Sequence, residues 1–339
     1  MVIAISAGAA LLLSLGSPFF LKPVLQRLGV IDVPNGRSSH TRPVIRGAGL
    51  GPLIAMIVAF VILLLNSEPG SGSIILVVVA LVAVAAAVLG WIEDLRGVPV
   101  KLRAASQLTI GLMGAGVLVA LAGAPWWLVP VFGLGIAGYI NVANFMDGIN
   151  GISGLHGAVV GGVFALTGAL TDVVWLIPAG LLIAASFLGF LPWNLRGGVF
   201  LGDVGSYLLG GSVGMVAVAA LVSGVPLLAV LGPLSIYLVD SGTTLVSRVL
   251  SGERWYEAHR SHTYQRLTDL GFSHVRVALI ISVASLASSL AGLLSLVSTN
   301  LWLVSAVLIV LIAVVYLFLG TILRSSRRTV EPNCEGVVE

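Results

Sequence analysis

Apolar runs of about twenty residues, recurring along the chain and separated by short polar connections, are the feature that most narrows what this sequence can fold into. A run of that length crosses a hydrocarbon core of roughly 30 Å as a helix. Lipid offers no water to the backbone, so each crossing segment must bond its own N–H and C=O groups, which makes a helix bundle the expected solution. Composition agrees: 58% of the 339 residues are hydrophobic and 9% charged, against roughly a quarter charged in a soluble domain. The segmentation gives eleven spans, at residues 2–21, 50–66, 74–92, 105–122, 125–141, 154–170, 173–192, 203–222, 225–247, 277–297 and 300–322. The predicted fold class is an all-α polytopic membrane protein of about eleven transmembrane helices. The first run has no cationic start and meets its first charge at Lys22, so it is read as a retained span rather than a secretory signal.

Charge tests the count. All 17 Lys and Arg residues fall in the connections after odd-numbered spans or in the C-terminal tail. The positive-inside rule makes that side cytoplasmic and puts the N-terminus outside. The expected organisation is one transmembrane catalytic domain over residues 1–323, with cytoplasmic loops at 22–49, 93–104, 142–153, 193–202 and 248–276, and a polar tail at 324–339. The net charge of +3 therefore reports topology and membrane contact, with no nucleic-acid partner expected. The single cysteine, Cys334, excludes an internal disulfide.

Twelve of the 14 acidic residues lie on the same side, Glu68 and Asp172 being the others. Glu93 and Asp94 end the third span, Asp147 ends the fifth, Asp203 begins the eighth, and Asp240 sits towards the inner end of the ninth. Carboxylates at those depths cost a few kcal/mol each on insertion scales and are usually functional. Asn141, Asn144 and Asp147 recur at steps of three, a polar stripe along one side of a helix. Asp203 stands between Gly202 and Gly205 at a helix start, where negative charge is favoured and an N-cap is the plain structural alternative.

A set of oxygen ligands without sulfur suits a hard cation, and Mg²⁺ completes its shell with water and substrate phosphates. The connections supply phosphate partners in Arg37, His40, Arg42 and Arg46, and again in His259, Arg260, His262 and Arg266. Lys22, Arg27, Arg324, Arg327 and Arg328 have no companion histidines and are read as topology determinants; His156 is read as a bonded structural histidine.

Five blocks, in this order, resemble the polyprenyl-phosphate N-acetylhexosamine-1-phosphate transferase superfamily. They are Asp32 to His40 with Pro43 and Arg46-Gly47; Glu93-Asp94-Leu95-Arg96-Gly97 with Lys101-Leu102-Arg103; Asn144 to Gly151; Phe200 to Ser206; and His259 to Leu267. The resemblance implies transfer of a sugar 1-phosphate from a UDP-amino sugar to polyprenyl phosphate at the cytoplasmic face of a bacterial membrane, with release of UMP. It implies Mg²⁺, with Mn²⁺ as a substitute, held by Asp203 and Asn144. It further implies that Glu93 and Asp94 orient or deprotonate the lipid phosphate, that Asp147 and Asn150 line the nucleotide-sugar pocket, and that His259, Arg260 and His262 grip the pyrophosphate or sugar. The chain departs from the family pattern where Glu93 replaces an aspartate, where Asn150 stands in place of an acid, and where Gly198 replaces a basic residue that Arg196 can stand in for. The first block and the run from Ser261 to Arg266 lean towards the branch serving O-antigen-like polysaccharides. A homo-oligomer is compatible with the sequence.

Two other classes fit a polytopic chain with intramembrane acids. A cation-coupled transporter would place its binding groups near the bilayer midplane, whereas these acids gather at helix ends. A non-catalytic lipid-binding membrane protein would carry the same groups without turnover.

Overall fold

The computed structural model describes residues 1–34, 43–253 and 261–330, with side chains to 324. It is an all-α polytopic membrane protein. Among the described residues ten helical segments are long and apolar enough to cross a bilayer, and Leu50–Leu65 is a shorter apolar helix. Together they reproduce the eleven predicted spans.

In chain order, α1 (Val2–Arg27) precedes a short hairpin of β1 (Ile31–Asp32) and β2 (Val44–Ile45). Then follow α2 (Leu50–Leu65), α3 (Ser71–Arg96), α4 (Val100–Leu121), α5 (Leu128–Met146), α6 (Ile152–Leu170), α7 (Leu176–Leu195) and α8 (Gly202–Val222). The chain continues through α9 (Leu227–Leu231), α10 (Ser235–Leu250), α11 (Thr263–Asp269), α12 (His274–Leu293) and α13 (Trp302–Val330).

The bundle is built around α8, buried at every residue from Val204 to Ala220. Lipid gives helices little hydrophobic reason to associate, so close packing of small residues must hold them. On α8, Gly210 lies against Ile140 of α5, and Gly211 against Ala86 of α3. Gly161 of α6 and Gly180 of α7 each lie against the other's carbonyl.

The ninth span differs from the continuous helix expected. It is interrupted by a 3₁₀ turn at Gly232–Leu234 that separates α9 from α10. Pro233 cannot donate to the helical ladder, and Gly232 packs against the backbone of α12 at Ser288 and Ser289. The third span is longer than predicted, so Glu93 and Asp94 sit on the last turn of α3 rather than in a loop.

A small backbone clasp sets the site. Ile31 pairs with Ile45 and Asp32 with Val44. Beyond the hairpin, the Phe200 N–H donates to the Ile45 carbonyl (2.8 Å), and the Ala48 and Gly49 N–H groups donate to the carbonyls of Phe200 (3.1 Å) and Leu201 (2.8 Å). The connection before α2 is thereby laced to the connection before α8, and Arg46 is carried over Asp203.

Candidate active site

Asp94 organises the site. Its side chain is fully buried, and its oxygens accept from the backbone N–H of Asp203 (3.0 Å) and of Val204 (2.9 Å). Those are two of the orphan donors that open α8, and the cap comes from a residue 109 positions upstream. Gly202 makes the approach feasible: its φ is +76°, and a side chain there would meet an Asp94 oxygen and the Gly47 backbone.

Arg46 then bridges two acids. Its Nε donates to Asp94 Oδ1 (2.5 Å), and its Nη2 donates to Asp203 Oδ2. Burial works against the Arg46 charge, but Asp203 and Asp94 outweigh it and hold its pKa above the usual arginine value. The other Asp203 oxygen accepts from Asn144 Nδ2 (2.6 Å), which also lies 3.1 Å from Ser206 Oγ.

The polar stripe of α5 serves three neighbours. Asn141 donates to Gln107 of α4 (2.6 Å), Asn144 to Asp203 of α8, and Asp147 accepts from Ser153 of α6 (2.6 Å). Asn194 at the end of α7 accepts from the Gly151 N–H (2.6 Å) and so fixes the turn between α5 and α6. These groups surround a cavity of about 330 Å³ whose lining includes Arg46, Asn144, Asp147, Asn150 and Asp203. Asp32, Asn194, Gln265 and His274 also line it, and the sequence had not singled them out for the site.

Seven expected site residues stand elsewhere or outside the described residues. Glu93 pairs through Oε1 with Arg103 (3.1 Å) and does not line the cavity. Asp94 does not line it either: its oxygens hold Arg46 and the α8 N-terminus. His262 is 3% exposed and caps α11 in a capping box with Gln265, its Nδ1 3.3 Å from Asp240. Tyr139 meets His156 Nε2 (2.7 Å), and Tyr237 stacks on its ring, as a structural histidine requires. Arg37, His40, His259 and Arg260 lie outside the described residues.

Asp147 carries a pH signature. Burial lifts its carboxyl from 3.8 to about 8, against the opposing pull of the Ser153 hydroxyl, while Asp203 and Asp94 push it further up. The unfolded chain gives up that proton near 3.8 and the folded chain near 8, so the stability it contributes is complete below the lower value and gone above the upper one. Asp147→Asn removes the linkage. The melting temperature of wild type minus that of the variant, measured in detergent, is expected to fall from pH 5 to 8 and level off above; a flat difference would contradict the shift.

Fold and site together define a multi-pass membrane protein whose acids, amides and one arginine converge on a cavity at one end of the bundle. Residues 75–221 match glycosyl transferase family 4. The chain is 27% identical over 327 residues to "Probable undecaprenyl-phosphate N-acetylglucosaminyl 1-phosphate transferase" of Bacillus subtilis, covering 89% of this chain and 88% of that one. It is 29% identical over 310 residues to the decaprenyl-phosphate N-acetylglucosaminephosphotransferase of Mycobacterium tuberculosis, covering 77% and 74%. It is 25% identical over 290 residues to the phospho-N-acetylmuramoyl-pentapeptide-transferase of Halalkalibacterium halodurans, covering 77% and 87%. The family match and these relatives support the resemblance to the polyprenyl-phosphate N-acetylhexosamine-1-phosphate transferase superfamily.

Proposed function

We propose that this protein transfers an N-acetylhexosamine 1-phosphate from a UDP-sugar to polyprenyl phosphate, giving polyprenyl-diphosphate sugar and UMP. An oxygen of the lipid phosphate attacks the sugar-bearing phosphorus. The bond from that phosphorus to the oxygen it shares with the uridylyl phosphate breaks, and the electron pair leaves with UMP. Both reactants are anions, so their approach needs screening by positive charge. The observation that carries this reading is the convergence of Asp203, Asn144, Asp147 and Arg46, from three separate stretches, on one cavity at the bundle end.

Arg46 supplies a fixed cation there, oriented by Asp94 and 33% exposed. Asp203 and Asn144 offer the hard-oxygen donors that suit Mg²⁺ or Mn²⁺, provided the Asn144 amide turns its oxygen inward, as an amide can. When bound, such an ion would screen phosphate charge. Among the described residues no three acids or histidines cluster as a self-sufficient metal cage, which agrees with an ion completed by substrate phosphates. Asp147 and Asn150 face the nucleotide sugar, and the resemblance adds Arg37, His40, His259 and Arg260 as partners for its phosphates. A lipid phosphate with a second pKa near roughly 6 is already largely dianionic at neutral pH, so no strong base is required. The site faces the cytoplasm of a bacterial inner membrane, a reading supported by the one-sided placement of all 17 cations. The lipid product begins an O-antigen-like surface polysaccharide or a cell-wall polymer.

The test is an assay of purified protein with polyprenyl phosphate, Mg²⁺ and a panel of UDP-amino sugars, including N-acetylglucosamine and 6-deoxy forms. Release of UMP with an organic-extractable sugar lipid supports the reading; failure with every donor in the panel would favour a lipid-binding role without catalysis. Chelation by EDTA is expected to stop turnover and added Mg²⁺ to restore it. Full activity in EDTA would remove the metal from the scheme.

A further inference from the structure

Asp240 lies inside α10 and is fully buried. A carboxylate within a membrane-spanning helix is costly unless its oxygens are bonded. Here Oδ1 accepts from the Thr263 N–H (2.9 Å) and Oδ2 from the Tyr264 N–H (3.4 Å) and the Tyr316 hydroxyl (2.6 Å). The two backbone donors open α11, a helix of 7 residues, too short to fix its own position. Tyr316 comes from α13, so the acid that holds the start of α11 is itself tied to a second span.

From that fixed start the contacts run to the cavity. The Tyr264 hydroxyl donates to the Phe145 carbonyl (3.1 Å) and rests where Gly148 has no side chain. Gln265 Nε2 donates to the Tyr264 hydroxyl (3.2 Å), and Gln265 lines the cavity. The acid is thereby linked both to Gln265 and to the turn that carries Asp147.

We propose that Asp240 is a positioning residue for the nucleotide-sugar side of the site, acting through α11 and Gln265 rather than on substrate; this rests on the transferase reading above. Replacing the carboxylate by an amide turns an acceptor into a donor facing an N–H or a hydroxyl, so α11 loses its register. A residue that merely supported the fold would lower the amount of active protein and leave the Michaelis constants alone.

The experiment uses full-length Asp240→Asn, Tyr316→Phe, Gln265→Ala and the Asp240→Asn/Gln265→Ala double variant. Asp240→Asn is expected to raise KM for the UDP-sugar about tenfold while KM for polyprenyl phosphate stays within about twofold, with a smaller shift of the same kind in Tyr316→Phe. In the double variant the two effects should combine to less than their product, because they act on one contact chain. Amide hydrogen exchange over Thr263 to Asp269, read without turnover, should quicken in Asp240→Asn. Unchanged UDP-sugar KM in Asp240→Asn and Tyr316→Phe of an active enzyme, or fully multiplicative effects in the double variant, would overturn the proposal. So would unchanged exchange in α11. Should wild type itself transfer nothing, the transferase reading fails, while the exchange measurement still decides whether Asp240 holds α11.

Discussion

Asp203→Asn is expected to slow UMP release by about a thousandfold or more, with the protein still folded in detergent. Removing one well-placed electrostatic group commonly costs about 10²–10³ in turnover, and Asp203 contributes to more than one. Its two oxygens accept from Asn144 and from Arg46. An asparagine has one acceptor oxygen, so its amide must face one of those donors with a second donor. The substitution also removes the only charge among the proposed ligands of a hard cation, and it frees Arg46 to turn wholly towards Asp94. Folding should survive, because the α8 backbone donors are capped by Asp94 and not by the Asp203 side chain. The measurement is a rate of UMP release at saturating UDP-sugar over a range of Mg²⁺ concentrations, beside a thermal melt. Wild-type turnover in a folded variant would remove Asp203 from the chemistry.

The spans were legible because hydropathy is a property of long windows, and the lengths of apolar runs are tied to bilayer thickness. The break at Gly232–Leu234 was not, since a Gly-Pro pair in an apolar run leaves hydropathy unchanged. The acids were legible as a set, by their cost at those depths. Their division of labour was hidden: Asp94 and Asp203 look alike in sequence, yet one is sealed and the other lines the cavity. What separates them is Asp94 capping a helix more than a hundred residues away, a pairing no local pattern announces. Arg46 appeared only as one cation among several, and its bridging role depends on the hairpin and on the clasp to Phe200 and Leu201. For Asn194 a signal existed, an amide after Pro192 at the end of an apolar run. Gln265 was obscured by its place in a basic segment, and His262 by heading a capping box in which serine or threonine is usual.

Gly90→Ala is expected to be the most damaging change that leaves every polar group of the site in the sequence. Gly90 faces the first turn of α8, and a methyl group there would run into the carbonyl of Asp203 and the nitrogen of Val204. Both are backbone atoms, so no rotamer change relieves the clash, and α3 must move away from α8. Overpacking of this kind costs typically about 1–3 kcal/mol. The displacement also separates Asp94, one turn further along α3, from the Asp203 and Val204 N–H groups it caps at 3.0 and 2.9 Å. A shift of about 1 Å at reacting groups can cost about a hundredfold in rate, so a loss of at least that size is expected, with a lower melting temperature. The control is Gly116→Ala on α4, where an added methyl meets no atom within 4 Å and alanine improves helix propensity by up to about 1 kcal/mol. That variant should keep wild-type turnover and melt no lower. If Gly90→Ala matched it in both respects, α3 and α8 would not be holding Asp94 and Asp203 by close contact, and the placement of the acids would need another cause.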